Sequence, residues 1–343
     1  MPNCATFRLH GAHFFSPHQQ ALDTDKLQTF EFQVAATGLR FDQFLALHFP
    51  AISLTRIRRA IREGHARVND KHRIQGWILA PGDHVTISVD PASPTSALPE
   101  AIPLDILFED DDLIIINKPT GLLSHPSTNE KSGTLMNALA WHVLHSRHTP
   151  GHAAPRPVLL HRLDRDTSGV IAISKNERAT RIVTKAFRQR RVSKTYLALV
   201  GGVMTEDTGL IDAPIGREAH AWPRWRVMEG GDDSQTRFTV KQRFARHTLV
   251  ELEPLTGRTH QLRIHCAHIG HPITGDQVYR GRSENHAPGI PGLTLKHQLL
   301  HAHRLTLRHP TTGAEMTFTA PLPALMTEAL EAVKDDHQRT LKS

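Results

Sequence analysis

The sequence predicts an α+β fold, in which a large module built on a mixed sheet follows a smaller α+β module. Strand-like apolar runs at Leu113–Ile116, Val170–Ile173, Tyr196–Val200, Leu249–Leu252 and Arg304–Leu307 alternate unevenly with helical stretches, which disfavours a regular parallel βαβ array. The Pro/Ser/Ala-rich run from Pro91 to Pro99 has no capacity for a packed core, so a domain boundary falls there. A chain of 343 residues has room for two domains.

In chain order, residues 1–30 are mixed and without period, and read as a partly disordered extension. The first module then covers 31–90, a linker 91–103, the large module 104–330 and a C-terminal tail 331–343. In the first module Thr55 is placed to cap a helix carrying Ile57, Ala60 and Ile61 at helical spacing, with Gly64 at its end. Short strands follow at Ala66–Asn69 and His84–Ile87. Between Ser53 and Arg73 seven basic residues (Arg56, Arg58, Arg59, Arg62, Arg67, Lys71, Arg73) face two acids, Glu63 and Asp70. On a helix the outward face becomes an arginine stripe suited to phosphates, although a solvated surface helix satisfies the same pattern.

In the large module, helices are expected at 134–145, 176–190 and after Thr259, the last capped by Thr259. There Leu262, Cys266 and Ile269 fall on one stripe and Gly270 ends the pattern. The segments His145–Pro157 and Gly281–Gly292 read as surface loops. There is no internal repeat.

Composition bounds the function. Lysine and arginine number 41 against 34 acids, for a net charge of +7, which suggests a polyanionic partner but also occurs in proteins that bind none. The two cysteines, Cys4 and Cys266, are too few and too far apart for a disulfide framework or a thiolate metal site, as expected of a cytoplasmic protein. No membrane span or signal peptide is expected. Neither a Walker phosphate loop nor a dinucleotide glycine fingerprint occurs, so no cofactor is expected.

The chemistry concentrates in His161-Arg-Leu-Asp-Arg-Asp-Thr-Ser-Gly169, a charged loop between two apolar, strand-like runs. Asp164 and Asp166 suggest metal ligation or acid–base work, but Arg162 and Arg165 favour anion pairing, and an aspartate so flanked is held charged. A positioned carboxylate of this kind is a nucleophile, or else one member of a structural Arg/Asp network. Arg263, beside the buried stripe of the last helix, needs a carboxylate partner, for which Asp164 is available. His260, His265, His268 and His271 spread around that helix, which argues against zinc. Lys175 through Lys194 carries eight cations against Glu177 alone and leads into Tyr196. That tyrosine either stacks on an unpaired base or belongs to a strand core.

Together these segments resemble the RluA family of pseudouridine synthases, from Leu107 to Pro323. The charged loop His161-Arg-Leu-Asp-Arg-Asp-Thr-Ser-Gly169 resembles the family's catalytic motif. Asn117-Lys-Pro-Thr-Gly-Leu122 with His125-Pro126, Lys194-Thr-Tyr196, Thr256-Gly-Arg-Thr-His-Gln-Leu-Arg263, Gly275-Asp276 and Leu300-His-Ala302 resemble its other blocks, in order. Residues 38–87 resemble the alpha-L RNA-binding motif. The segment Ala219–Asp233 departs from the family pattern. The resemblance implies a mainly antiparallel catalytic sheet and isomerisation of uridine to pseudouridine in RNA. By the same resemblance Asp164 is the nucleophile, Tyr196 the base-stacking aromatic and Arg263 the partner of Asp164. Arg162, His161, Arg165 and Lys194, with Arg56, Arg59 and Arg62 of the first module, would meet RNA. The spacing around His125–Leu139 resembles the RluD branch, which implies a large-subunit ribosomal RNA target; a monomer without metal is expected. A synthase acting on transfer RNA, a non-catalytic ribosome-assembly factor and a metal-dependent nuclease built on Asp164 and Asp166 are the competing readings.

Overall fold

A computed structural model describes residues 27–35, 38–49, 52–89, 97–127, 130–146, 157–218, 225–280 and 289–342. Most of the two expected surface loops, the start of the linker and nearly all of the extension 1–30 lie outside these residues. The chain divides into two compact units, residues 1–96 and 97–343.

The first unit contains β1 (Gln28–Gln33), α1 (Phe41–His48), α2 (Leu54–Arg62), β2 (Ala66–Val68) and β3 (His84–Val89). Its antiparallel strands run in the order β1-β3-β2. β1 starts before Glu31 because Phe30 packs edge-on against Phe49 at 5.0 Å. α2 forms because Ile57, Ala60 and Ile61 bury one face. Its cap is Ser53, not Thr55: the serine hydroxyl accepts the Arg56 amide at 3.3 Å, and Thr55 already lies inside the first turn. Gly64, at φ +82°, follows the helix end.

The second unit contains β4 (Ile106–Glu109), β5 (Leu113–Lys118), α3 (Leu135–His145), β6 (Val158–Leu159), β7 (Ser168–Ser174), α4 (Glu177–Arg188), β8 (Ser193–Gly201), β9 (Thr208–Asp212), β10 (Ile215–Arg217) and β11 (Trp225–Val227). It continues with β12 (Gln235–Arg243), β13 (His247–Pro254), α5 (Gln261–His268), β14 (Leu300–Arg308), β15 (Glu315–Thr319) and α6 (Ala324–Lys342). The main sheet runs β4-β5-β7-β14-β8-β13-β12-β9, with β15 beside β14 and β6 beside β7. Among the described ladders of this sheet only β7–β14 is parallel; the rest are antiparallel, so the fold is a mixed, mostly antiparallel α+β sheet.

β5 and β7 lie between two apolar clusters, and strand periodicity divides them: Ile114, Ile116, Ile171 and Ile173 enter one, while Leu113, Ile115, Val170 and Ala172 enter the other. Each such isoleucine contributes about 1.5–3 kcal/mol on burial. All seven residues of β7 are buried, which makes it a rigid support for the loop before it.

Two expected boundaries differ. The second half of the linker is bound to α3, because the Asn137 side chain donates to Leu98 O at 2.8 Å and Glu100 N donates to Asn137 O at 3.1 Å. The tail from residue 331 is the continuation of α6, anchored by the buried Val333.

Candidate active site

The loop His161–Thr167 is held from below. Lys118, wholly buried at the end of β5, donates its ammonium hydrogens to the carbonyls of Pro119, Leu122 and Arg165 at 2.9, 2.9 and 2.8 Å. Gly121 N donates to the same Arg165 carbonyl at 3.0 Å, and Ser124 Oγ to Leu163 O at 2.9 Å. Leu163 inserts into the core between them, and Thr167 N closes a turn onto Asp164 O at 3.1 Å. Burial lowers the Lys118 pKa to about 8, against the opposing pull of Asp166 and Asp164. The loop then passes into β7 at Gly169, whose φ of +110° and position 2.2 Å from Ala302 O, measured from where a Cβ would sit, admit no side chain.

Asp164 stands at the top of this loop with a quarter of its side chain exposed. Its Oδ2 accepts from Arg263 Nη1 at 3.1 Å, and Oδ1 has no hydrogen bond among the described residues. Arg263, the third residue of α5, is itself fixed: Nε and Nη2 donate to the two oxygens of Asp276 at 2.6 and 2.9 Å. Asp276 is fully buried and also accepts the amides of Val278 and Tyr279 at 2.8 and 2.9 Å. Burial raises the carboxyl's pKa, but these hydrogen bonds and the Arg263 charge outweigh it, so the net shift is downward. Arg263 is shifted upward: burial opposes its charge, and the hydrogen bonds and charges of both aspartates more than offset that. The guanidinium thus spends its paired edge on Asp276 and offers one N–H to Asp164, which orients the second carboxylate without enclosing it.

Thr259 does not cap α5. The residue before the helix is His260, in left-handed conformation at φ 56°, and the Thr259 hydroxyl instead accepts from Arg162 Nη2 at 2.5 Å. That unusual backbone aims the His260 ring at the site, with Nδ1 2.9 Å from the Tyr279 hydroxyl and Nε2 3.9 Å from Asp164 Oδ2. Tyr279 lies under Arg263, 5.1 Å from the guanidinium carbon. Gln261 ties the start of α5 to β12: its amide donates to Gln235 O and Thr236 Oγ1 at 2.9 and 3.0 Å, and its carbonyl accepts from Thr256 Oγ1 and Arg258 N at 2.8 and 3.0 Å. His265 is occupied by Thr236 and Ala213 O, and His271 by Gly201 O. Among the described residues no group of three or more His, Cys, Asp or Glu is arranged to hold a metal.

Tyr196, on β8, is 8% exposed and packs in the same cluster as Leu163 and Leu262. Burial first, and then the Asp164 charge, raise its hydroxyl's pKa. His161 is half-buried. Its Nε2 accepts the Ala172 amide at 3.0 Å where β6 has ended, its ring lies 5.3 Å from Phe187, and burial lowers its pKa to about 3. Arg165 points outward onto Glu130 at 2.6 Å. Lys194 is half-buried, and burial lowers its pKa. In the first unit Arg59 pairs with Glu63 at 2.7 Å, Arg62 is exposed and Arg56 is half-buried. Asp166 Oδ1 is buried without a hydrogen bond, although His297 Nδ1 approaches to 3.3 Å; the ring is near but badly aligned to donate.

Asp164 is thus a partly exposed carboxylate, paired with one arginine, on a clamped loop. The description "RNA pseudouridylate synthase" belongs to the family whose sequence model matches residues 112–268, a span that contains Asp164, Tyr196 and Arg263. Ribosomal large subunit pseudouridine synthase D of Pasteurella multocida is 36% identical over 315 residues, covering 90% of this chain and 95% of its own. The chain belongs to the RNA pseudouridine synthase family. The synthase also resembles the protein of the same description from Xanthomonas campestris, at 35% identity over 312 residues, with 89% and 92% of the two chains covered. Among solved structures, human RNA Pseudouridylate Synthase Domain Containing 4 superposes with a TM-score of 0.54 at 27% identity, over 67% of this chain and 93% of the other. The enzyme is therefore an isomerase acting on RNA, and no helix among its described residues is long and apolar enough to cross a membrane.

Sequence reasoning left Lys118, Ser124, His260 and Tyr279 without roles and saw in Asp276 only part of a motif. Lys118 and Asp276 carried a faint signal, a lone lysine ending an apolar strand and an aspartate after a glycine.

Proposed function

We propose that the synthase isomerises uridine to pseudouridine in large-subunit ribosomal RNA, with Asp164 as nucleophile, as a monomer in the cytoplasm. The observation that carries the chemistry is the Asp164 carboxylate, anchored by one 3.1 Å hydrogen bond to Arg263 and open at Oδ1. A target uridine must leave its stack to reach it, at a cost of a few kcal/mol that phosphate contacts offset. Asp164 attacks either the ribose carbon C1′ or the pyrimidine ring. The C1′–N1 bond breaks, the uracil turns, a C1′–C5 bond forms, the bond to Asp164 breaks and frees the carboxylate, C5 loses its hydrogen as a proton and N1 gains one. Arg263 balances the carboxylate before and after attack, Tyr196 supplies a ring edge against the base, and Arg162, held by Thr259, is positioned to fill the space the base vacates. The ribosomal target rests on the names of the relatives and on the arginines of both units.

The test is release of tritium from C5-labelled uridine in ribosomal and transfer RNA transcripts. Release from large-subunit ribosomal RNA, lost in Asp164→Asn while RNA binding persists, is expected. Release from transfer RNA alone would overturn the target, and full activity of Asp164→Asn would overturn the nucleophile.

A further inference from the structure

The first unit carries an exposed feature that the reaction does not use. Between β2 and β3 the segment from Arg73 to Leu79 folds over the start of α1. Phe41 N donates to Trp77 O at 2.8 Å and Asp42 N to Gln75 O at 3.1 Å, and Arg40 bridges to Ile78. This leaves Ile74 71%, Ile78 57% and Trp77 37% exposed, a group of large apolar side chains at one tip. The Arg73 guanidinium carbon lies 4.0 Å over the Trp77 ring, and Arg73 Nε is buried with no hydrogen bond. Arg40 and Arg58 reach the same end of the unit, both on the buried Asp42, with 34% and 30% of their side chains exposed. Two guanidiniums therefore share one carboxylate, and a third lies over a partly open indole.

We infer that Trp77 and Arg73 form a stacking platform for an unpaired RNA base, with a flanking phosphate meeting the partly exposed guanidinium of Arg40. Indole and guanidinium are both planar, and a stack of the two accepts a third flat ring of any sequence. Phosphate pairs with an accessible guanidinium such as that of Arg40, 34% exposed, whereas an apolar protein partner would cover Ile74 and Ile78 and make no use of it. The inference rests on RNA being the substrate and concerns where RNA is gripped, away from any chemical step.

The test uses the full chain with a fluorescein-labelled single-stranded oligoadenylate and a blunt RNA duplex of equal length, read by anisotropy. Trp77→Ala should weaken oligoadenylate binding by about tenfold and duplex binding far less, with the slope of log K against log salt unchanged, because no phosphate contact is removed. Trp77→Phe keeps a flat ring and should retain most of the affinity, which separates lost stacking from lost folding. Unchanged oligoadenylate affinity in Trp77→Ala overturns the platform; if that variant alone stops associating with ribosomal particles, the tip is a protein-docking site instead. An equal loss on both RNAs with a shallower salt slope also overturns it. Tritium release by the wild type is followed in parallel: if it is absent while the oligoadenylate result holds, the ribosomal reading fails and the platform stands.

Discussion

Replacing Asp276 by Asn tests whether Asp164, the proposed nucleophile, is positioned from behind. The wild-type carboxylate receives two hydrogen bonds from Arg263 and two from the Val278 and Tyr279 amides, all between 2.6 and 2.9 Å. An asparagine keeps one oxygen for the amides but turns an NH2 group toward the guanidinium. Arg263, 7% exposed, is then left with Asp164 as its only counter-charge. Breaking a buried pair in this way costs about 3–5 kcal/mol. For a unit of this length that lowers Tm by roughly 6–20 °C. Activity should fall by roughly 100-fold at saturating RNA, because a displaced Arg263 draws Asp164 out of its attack geometry. Calorimetric melting and tritium release measure both. The pH dependence has a definite sign: the Asp276 pKa is lowered from 3.8, so its contribution is present above that value and is lost as pH falls through the folded-state pKa. The variant should lack this part of acid destabilisation. A variant that melts within about 2 °C of wild type and turns over normally would refute the reasoning.

Gly169→Ala should prevent the unit from folding stably, since the new methyl group would sit 2.2 Å from Ala302 O at a φ of +110°; soluble, fully active protein with an unchanged Tm would contradict this. Activity should decline as pH rises through about 8, where Lys118 loses its proton and the resulting amine has two N–H groups for three carbonyls. Unfolded lysine holds its proton to near 10.5, so this group alone makes stability rise between those values, and the decline should appear in kcat without a drop in Tm. Lys118→Met should bind RNA, turn over slowly and lack that pH step; a step that persists in the variant assigns it to another group.

The strands, the loop that carries Asp164 and the Asp164–Arg263 contact were legible because each leaves a local trace: apolar runs of period two, charges between them, and an arginine beside a buried helical stripe. What was not legible depends on contacts far apart in sequence. Lys118 meets Arg165 across 47 residues, and a lysine's burial has no local mark. His161 sits among charges and reads as a surface residue, yet it replaces a strand hydrogen bond at the point where β6 stops. Thr55 and Thr259 both have capping chemistry. A serine two positions earlier takes the first cap, and a left-handed histidine takes the second position, freeing Thr259 for Arg162.

The parallel joint between β7 and β14 also dictates when the enzyme becomes an enzyme. Ser168 and His301, which face each other across that joint through a 2.9 Å hydrogen bond, are separated by 133 residues, and Asp164 and Arg263 by 99. A chain emerging from the ribosome displays the Asp164 loop first, the arginine that aims its carboxylate 99 residues later, and the strand that seats the loop's exit later still. Contacts of such long range fold slowly. Chains stopped before β14 would therefore carry the aspartate and its arginine without the strand that seats the loop's exit, and synthesis itself would delay the site until β14 has been made.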